Sequence, residues 1–315
     1  MKITVLAPYT FGYIDALVEK LQEYDGVEVT FIQFQDFRYE YKSIFDRVYN
    51  FILKLTHTGN LKKNYISQQV KNKVAQLDYQ DYILIIRPDK LENDLLRWLK
   101  KYTDNLISYY FDAIGKFPRK ANIIKYFDEV YSYEKSDVSD YNLKFITNFI
   151  PSEDKPVQSI ENGVFNISSR DERVWVMQKI AGQLKEYNFP FKFIVRSEKP
   201  MVIDCIEVIQ EYMSMEDTKK YLNEASILLD IQKDDQEGLT FRVFEVLQFK
   251  KKLITTNPSI KSYEFYDANN ILVIDKEKPI IPLEFLNTTY NDIPESIVQK
   301  YRRSAWIEQV FGLKE

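Results

Sequence analysis

Short apolar strands alternate with amphipathic helices along nearly the whole chain, which makes this an α/β protein. Strands such as 82–86 and 106–111 are continuously apolar rather than alternating, as strands covered on both faces are. The rhythm stops over 148–162, a stretch of low periodicity containing Pro151 and Pro156, and then restarts. Two domains of similar size are therefore predicted, an N-terminal one over 1–150 and a C-terminal one over 160–295. A final helix over 296–315 is expected to pack back on the first. The expected architecture is two Rossmann-like domains facing across a cleft, with ligands at the carboxyl ends of the strands.

In the first domain, 3–7 is β-prone and runs into Tyr9-Thr10-Phe11-Gly12, after which Ile14, Leu17, Val18 and Leu21 recur at helical spacing. A strand over 27–34 follows the Asp25-Gly26 turn. Helices are expected over 42–56, 61–77 and 91–102, with strands over 82–86, 106–111 and 126–133. In the second domain the pattern predicts strands over 163–167, 191–195, 226–231, 252–255 and 271–274. Helices are expected there over 171–187, 215–224 and 239–249, and a C-terminal helix over 294–310.

At 315 residues, with 45% hydrophobic and 29% charged residues, the chain can bury a large core. Cys205 is the only cysteine and His57 the only histidine, so an intrachain disulfide and a Cys/His zinc site are excluded, and the reducing cytoplasm is the expected compartment. Forty-three basic against 47 acidic residues leave a net charge of −4, without the overall basic field of a nucleic-acid binder. The N-terminal segment lacks the features of a signal peptide, and no apolar run approaches the roughly 20 residues that span a bilayer.

The most informative stretch is 226–257, which reads as strand, polar loop, helix, strand. Its loop ends in Glu237-Gly238-Leu239-Thr240, where glycine permits close backbone approach and the Thr240 hydroxyl is expected to cap the helix. Unpaired amides and the positive dipole end at a helix start suit an anion such as a diphosphate. Glu245 follows Glu237 by eight residues, about two helical turns deeper. That spacing suits a nucleotide diphosphate held between two carboxylates.

Asp230, the Gln236-Glu237-Gly238-Leu239-Thr240 loop, Arg242, the Glu-x7-Glu spacing to Glu245 and the following Lys252-Leu-Ile-Thr-Thr-Asn257 resemble the nucleotide-sugar site of GT-B glycosyltransferases. Within that fold they look like the bacterial group that builds capsule, lipopolysaccharide or exopolysaccharide. The resemblance implies a donor site in the C-terminal domain and an acceptor site in the N-terminal one. It further implies that Glu237 contacts the donor sugar, Glu245 the ribose, and Gly238, Leu239 and Thr240 the phosphates, with Arg242 as an added phosphate cation. The donor substrate would be a nucleotide diphosphate sugar, with no further cofactor and no metal, because no Asp-x-Asp stretch occurs. The motif leans towards retention of anomeric configuration.

Ser168, Ser169, Arg170 and Arg173 open the second domain after its first strand, where arginine can fork onto phosphate oxygens. The Gly-rich loop with a lysine usual in this fold is absent. Asp112 ends a buried strand and is the candidate to orient or deprotonate an acceptor hydroxyl, with a helix cap as its structural alternative. Thr10 and Gly12 are acceptor-side candidates, against an ordinary loop and cap. His57 reads as a surface or packing residue. Residues 42–77 carry seven basic residues against one acid, Asp46, interleaved with aromatics. They suit either a peripheral contact with an anionic membrane at the inner face or a solvated helical face. A nucleotide-sugar epimerase of the same fold and a non-catalytic nucleotide- or saccharide-binding protein are the rival functions.

Overall fold

The computed structural model describes residues 1–56, 59–153, 163–234 and 236–314. His57 and most of the predicted linker, 154–162, lie outside the described residues. Contacts divide the chain into two units, one of Met1–Ile146 with the stretch from Ile307 onward, the other of Thr147–Trp306.

The first unit runs β1 (Lys2–Ala7), α1 (Tyr13–Gln22), β2 (Glu28–Gln33), α2 (Ile44–Leu55), α3 (Leu61–Val74), β3 (Tyr82–Ile86), α4 (Asn93–Leu99), β4 (Leu106–Tyr110), α5 (Arg119–Ile123), β5 (Glu129–Ser132), α6 (Lys135–Tyr141) and β6 (Lys144–Phe145). Its six strands form one sheet in the order β2-β1-β3-β4-β5-β6, and every pair is parallel. The continuous apolar character of β3 and β4 follows from burial on both faces. Leu6, Ile83, Ile85 and Leu106 pack against Val70 and Val74 of α3 and Leu95, Leu96 and Leu99 of α4. The alternate residues Ile3, Val5, Leu84 and Ile86 are equally buried. Each such side chain contributes about 1.5–3 kcal/mol on leaving water.

The second unit runs β7 (Val164–Ser169), α7 (Val174–Glu186), β8 (Phe191–Arg196), β9 (Glu207–Ile209), α8 (Met215–Glu224), β10 (Ile227–Asp230), α9 (Phe241–Phe249), β11 (Lys252–Thr255), β12 (Ile271–Val273), α10 (Leu283–Asn287) and α11 (Glu295–Val298), and the last helix, α12 (Arg303–Phe311), begins in it and passes to the first unit at Ile307. Its parallel sheet has the order β12-β11-β10-β7-β8-β9. The period of two sorts its strands between two cores. Phe165, Ile194, Leu228 and Leu253 meet Val243, Phe244 and Leu247 of α9, while Val164, Val195, Leu229 and Ile254 meet Met177, Ile180 and Leu184 of α7. The prediction of an α/β chain with two Rossmann-like domains holds. No helix among the described residues is long and apolar enough to cross a membrane.

Several boundaries differ from the prediction, among them three in the second half of the chain. The helix predicted over 171–187 starts at Val174, because the Asp171 carboxylate takes the Arg173 amide at 3.1 Å and turns the chain first. The helix predicted over 239–249 starts at Phe241. The C-terminal helix predicted over 294–310 is interrupted at Arg302, which is extended at φ −72 and ψ 159. Just before it, the Tyr301 carbonyl accepts the Ile150 amide at 2.7 Å, a bond that replaces its helical one. The chain then returns to the first unit, where Gln309 donates to the Phe145 carbonyl at 2.9 Å and the Phe311 ring meets Tyr82 edge-on.

Candidate functional site

In the second unit the strand order reverses between β7 and β10, the place at which ligands bind in open α/β sheets. Ser168, Ser169 and Arg170 occupy the β7 side, and Asp230 with residues 231–234 and 236–240 occupies the β10 side. These residues thus follow the carboxyl ends of the two central strands of the sheet.

The 236–239 run is held by its carbonyls. Gln232 Nε2 donates to the carbonyls of Gln236 at 2.9 Å and Gly238 at 3.1 Å. Asn257 Nδ2 donates to that of Glu237 at 2.9 Å, and Asn148 Nδ2 to that of Leu239 at 2.8 Å. All three carboxamides are buried, so four consecutive carbonyls are fastened to the interior by neutral donors. Each bond contributes about 0.5–1.5 kcal/mol, and losing one partner costs more because the other is stranded away from water. Among the described residues the main-chain amides of Gly238, Leu239, Thr240 and Arg242 have no hydrogen-bond partner. They stand at the positive end of α9, a chemistry suited to an anion.

Thr240 is the N-cap of α9 by position, but its hydroxyl does not cap the helix as predicted. It donates instead to Asp230 Oδ1 at 3.0 Å, and Thr255 Oγ1 reaches Asp230 Oδ2 at 3.4 Å. Burial pushes the Asp230 carboxyl above the usual carboxylate range, against the opposing pull of the Thr240 hydroxyl and of the Arg173 and Arg242 charges. The Thr240 hydroxyl is thus turned towards the buried acid as a donor, and its oxygen accepts no amide of the helix start.

The predicted cations differ in how they are engaged. Arg173 forks onto Asp171 through Nε at 2.8 Å and Nη2 at 2.7 Å and gives Nη1 to the Ile231 carbonyl at 2.9 Å, joining the two loops. Burial works to raise the Asp171 carboxyl, yet the Arg173 hydrogen bond and charge outweigh it and hold it below its ordinary value. Arg170 is exposed, and its guanidinium has no partner among the described residues. Arg242 Nη1 meets Glu245 Oε2 at 2.6 Å, and Glu245 is 2% exposed. Glu237 is exposed at the loop surface.

In the first unit, order reverses between β1 and β3. Thr10 follows β1, and its hydroxyl accepts the Ile14 amide at 3.3 Å. Gly12 holds φ 81 as the N-cap of α1, a left-handed conformation that suits glycine. Asp112, after β4, is ion-paired with Lys116 at 2.8 Å and Arg87 at 3.6 Å.

Sequence reasoning missed much of the surroundings of Asp112. Lys120 is fully buried, gives Nζ to the Asp112 carbonyl at 2.6 Å and lies over the Tyr110 and Phe117 rings. Burial lowers its ammonium to about 8. Arg87 sits in the left-handed region at φ 57, held by a two-pronged contact with Asp89 and by stacking 3.8 Å from the Phe117 centroid. An Arg-Pro-Asp run directly after a buried strand was the available signal. Asn148, Gln232 and Asn257 were missed as well. Their signal was a carboxamide next to apolar residues, which marks burial but names no partner.

Two successive Rossmann-like units, each with a six-stranded parallel sheet, are the architecture of the GT-B fold. No protein-family model and no curated protein matches the chain. Solved structures do. A UDP-forming α,α-trehalose-phosphate synthase from Burkholderia xenovorans superposes with a TM-score of 0.56 at 9% identity, covering 98% of each chain. The UDP-GlcNAc 2-epimerase of Methanocaldococcus jannaschii, in complex with UDP-GlcNAc and UDP, has a TM-score of 0.55 at 12% identity over 98% of this chain and 99% of that one. The UDP-GlcNAc 2-epimerase of Neisseria meningitidis, bound to UDP-GlcNAc, gives 0.54 at 10% identity over 99% and 100%. At such identities the likeness is one of fold.

Proposed function

We propose that this chain is a glycosyltransferase that moves a sugar from a nucleotide diphosphate donor to a saccharide or lipid-linked acceptor in the assembly of a bacterial surface polysaccharide. One observation carries the reading: the carbonyls of Gln236, Glu237, Gly238 and Leu239 are tied inward, while the main-chain amides of Gly238, Leu239, Thr240 and Arg242 have no partner among the described residues. A preorganised set of amides stabilises the charge that develops on a leaving diphosphate without reorganising. The solved relatives of this fold that carry UDP-GlcNAc, or are named as UDP-forming, support a nucleotide-linked sugar as the ligand.

In this reading the donor's anomeric carbon–oxygen bond breaks as the acceptor oxygen bonds to that carbon, the diphosphate takes the electron pair, and the acceptor hydroxyl gives its proton to the Asp112 carboxylate. The α9 amides and Arg170 receive the diphosphate. Arg173 holds the β7 and β10 loops in register through Asp171 and the Ile231 carbonyl. Ser168 and Ser169 line the phosphate side. Glu237 meets the donor sugar. Glu245 meets the ribose once Arg242 swings away, which frees Arg242 for phosphate. Asp112 orients the acceptor hydroxyl, and Thr10 and Gly12 line the acceptor pocket. Transfer is metal-independent and retaining.

The test is a thermal-unfolding screen of the full chain with nucleoside diphosphates and nucleotide sugars, followed by turnover with saccharide acceptors. Ligand at about a hundred times its Kd should stabilise the native state by about 2.7 kcal/mol. If no nucleoside diphosphate moves the midpoint, the donor site is wrongly assigned. The epimerase likenesses favour a second reading, nucleotide-sugar epimerisation. Conversion of a nucleotide sugar in the absence of any acceptor, followed by NMR, would select it. Binding without turnover would select a non-catalytic binder.

A further inference from the structure

α2 is amphipathic in the opposite sense to a helix packed on a domain. Ile44, Phe45, Val48, Phe51, Ile52 and Leu55 fall within one arc of about 120° at 3.6 residues per turn. These six are between 48% and 79% exposed. The only buried residue of the helix is the polar Asn50, on the opposite side. Its carboxamide donates to the Tyr41 hydroxyl at 2.7 Å and accepts the Leu61 amide at 2.8 Å, so the helix is pinned by its polar face. The apolar arc points to solvent.

We propose that this face of α2 docks the protein on an anionic lipid surface. The charge around the arc selects that partner. Arg47 and Lys54 project beside one edge of the arc, and Lys42 and Lys62 are exposed at the neighbouring turns. Over 42–77 seven basic residues face one acid, Asp46, in a chain whose net charge is −4. A second copy seated on this face would bring one cationic rim against another. Anionic headgroups neutralise that rim while the acyl boundary takes the apolar arc, the arrangement of a helix lying in the interface plane. With 12 residues, α2 is about 18 Å long, which suits lying in that plane and is too short to span it. The inference stands apart from the proposed reaction, since it uses no residue of the donor or acceptor sites.

The experiment is flotation of the full chain with phosphatidylcholine vesicles, with and without phosphatidylglycerol. Binding is expected only with phosphatidylglycerol and should fall as salt is raised. Phe45→Ser combined with Phe51→Ser should weaken partition at least about tenfold. Arg47→Glu combined with Lys54→Glu should weaken it about fivefold per charge or more. The thermal midpoint should stay unchanged in both variants, because the altered side chains are exposed. Absence of binding to anionic vesicles at low salt overturns the proposal. So does binding that is indifferent to both variants, or a wild-type dimer in sedimentation velocity that the serine variant dissolves while no vesicle is bound.

Discussion

The Asn257 carboxamide donates to the carbonyl of Glu237 at 2.9 Å, so a residue at the exit of β11 fixes the backbone of the acid proposed to meet the donor sugar. Asn257 is itself held, its amide donating to Thr255 Oγ1 at 3.1 Å and its Oδ1 accepting the Ser259 amide at 3.0 Å. On that side the Asn257 amide, Oδ1 and Nδ2 each have a partner. Glu237 is exposed, whereas the clamp beneath it is buried.

Asn257→Leu should therefore lower stability and weaken donor binding together. The stranded Glu237 carbonyl costs about 1–3 kcal/mol, equivalent to about 2–4 °C in midpoint per kcal/mol for a unit of this size. Glu237→Gln should leave the midpoint within about 1 °C, since surface changes cost under about 0.5 kcal/mol, and should reduce turnover alone. Thermal unfolding and single-turnover rates on the two variants check the division. Equal stability losses would show that Glu237 is structural.

Arg170 and Arg173 lie three residues apart but should respond differently to truncation. Arg173 is committed to Asp171 and the Ile231 carbonyl, so Arg173→Ala should destabilise the unit through the released Asp171 carboxylate and carbonyl. Arg170→Ala should leave the midpoint unchanged and weaken diphosphate binding about tenfold or more, the value of a charged hydrogen bond at about 1.5–3 kcal/mol. Calorimetric titration with a nucleoside diphosphate measures it. Unaltered affinity in Arg170→Ala removes that residue from the site.

Much of this geometry was legible in the sequence where period and composition decide it. The run Ile83-Leu84-Ile85-Ile86 reads as a strand covered on both faces, and Gly238 followed by a helical pattern marks a turn into a helix. Partner choice was not legible. Thr240 looks like a cap until the fold brings Asp230 within 3.0 Å of its hydroxyl. Glu245 looks like an available carboxylate until the helix turn sets Arg242 beside it. The same pattern that predicted an amphipathic α2 could not say which face it turns inward, because that depends on Asn50 finding Tyr41 and Leu61.

The buried Lys120 predicts a rise of stability with pH. Its ammonium is lowered by burial from 10.5 to about 8, so at intermediate pH the unfolded chain holds a proton that the folded chain has released. Stability then increases with pH, since the unfolded state binds more protons. Lys63, lowered to about 8 chiefly by burial, acts in the same direction. Urea unfolding between about pH 8 and 10 should show the increase, below the range where buried tyrosines begin to oppose it. Lys120→Met should flatten Lys120's share of the slope. A slope identical to that of the wild type would mean that the ammonium stays charged in the folded state.

The Arg242–Glu245 pair separates a structural role from a binding one. Glu245→Gln leaves a mostly buried guanidinium without its counter-charge, and breaking such a pair costs about 3–5 kcal/mol. Replacing both residues, Arg242→Met with Glu245→Leu, should recover most of that loss, because two charges leave the interior and apolar groups of similar volume fill it. The double-mutant cycle in urea unfolding should give a coupling energy of about 2 kcal/mol or more. If Glu245 also meets the ribose of the donor, the recovered double variant will still bind nucleotide more weakly than the wild type. Its stability returns because packing is restored, and its affinity does not because the acceptor for the ribose hydroxyls is gone. Wild-type nucleotide affinity in the double variant would confine Glu245 to holding α9 and take the ribose contact away from it.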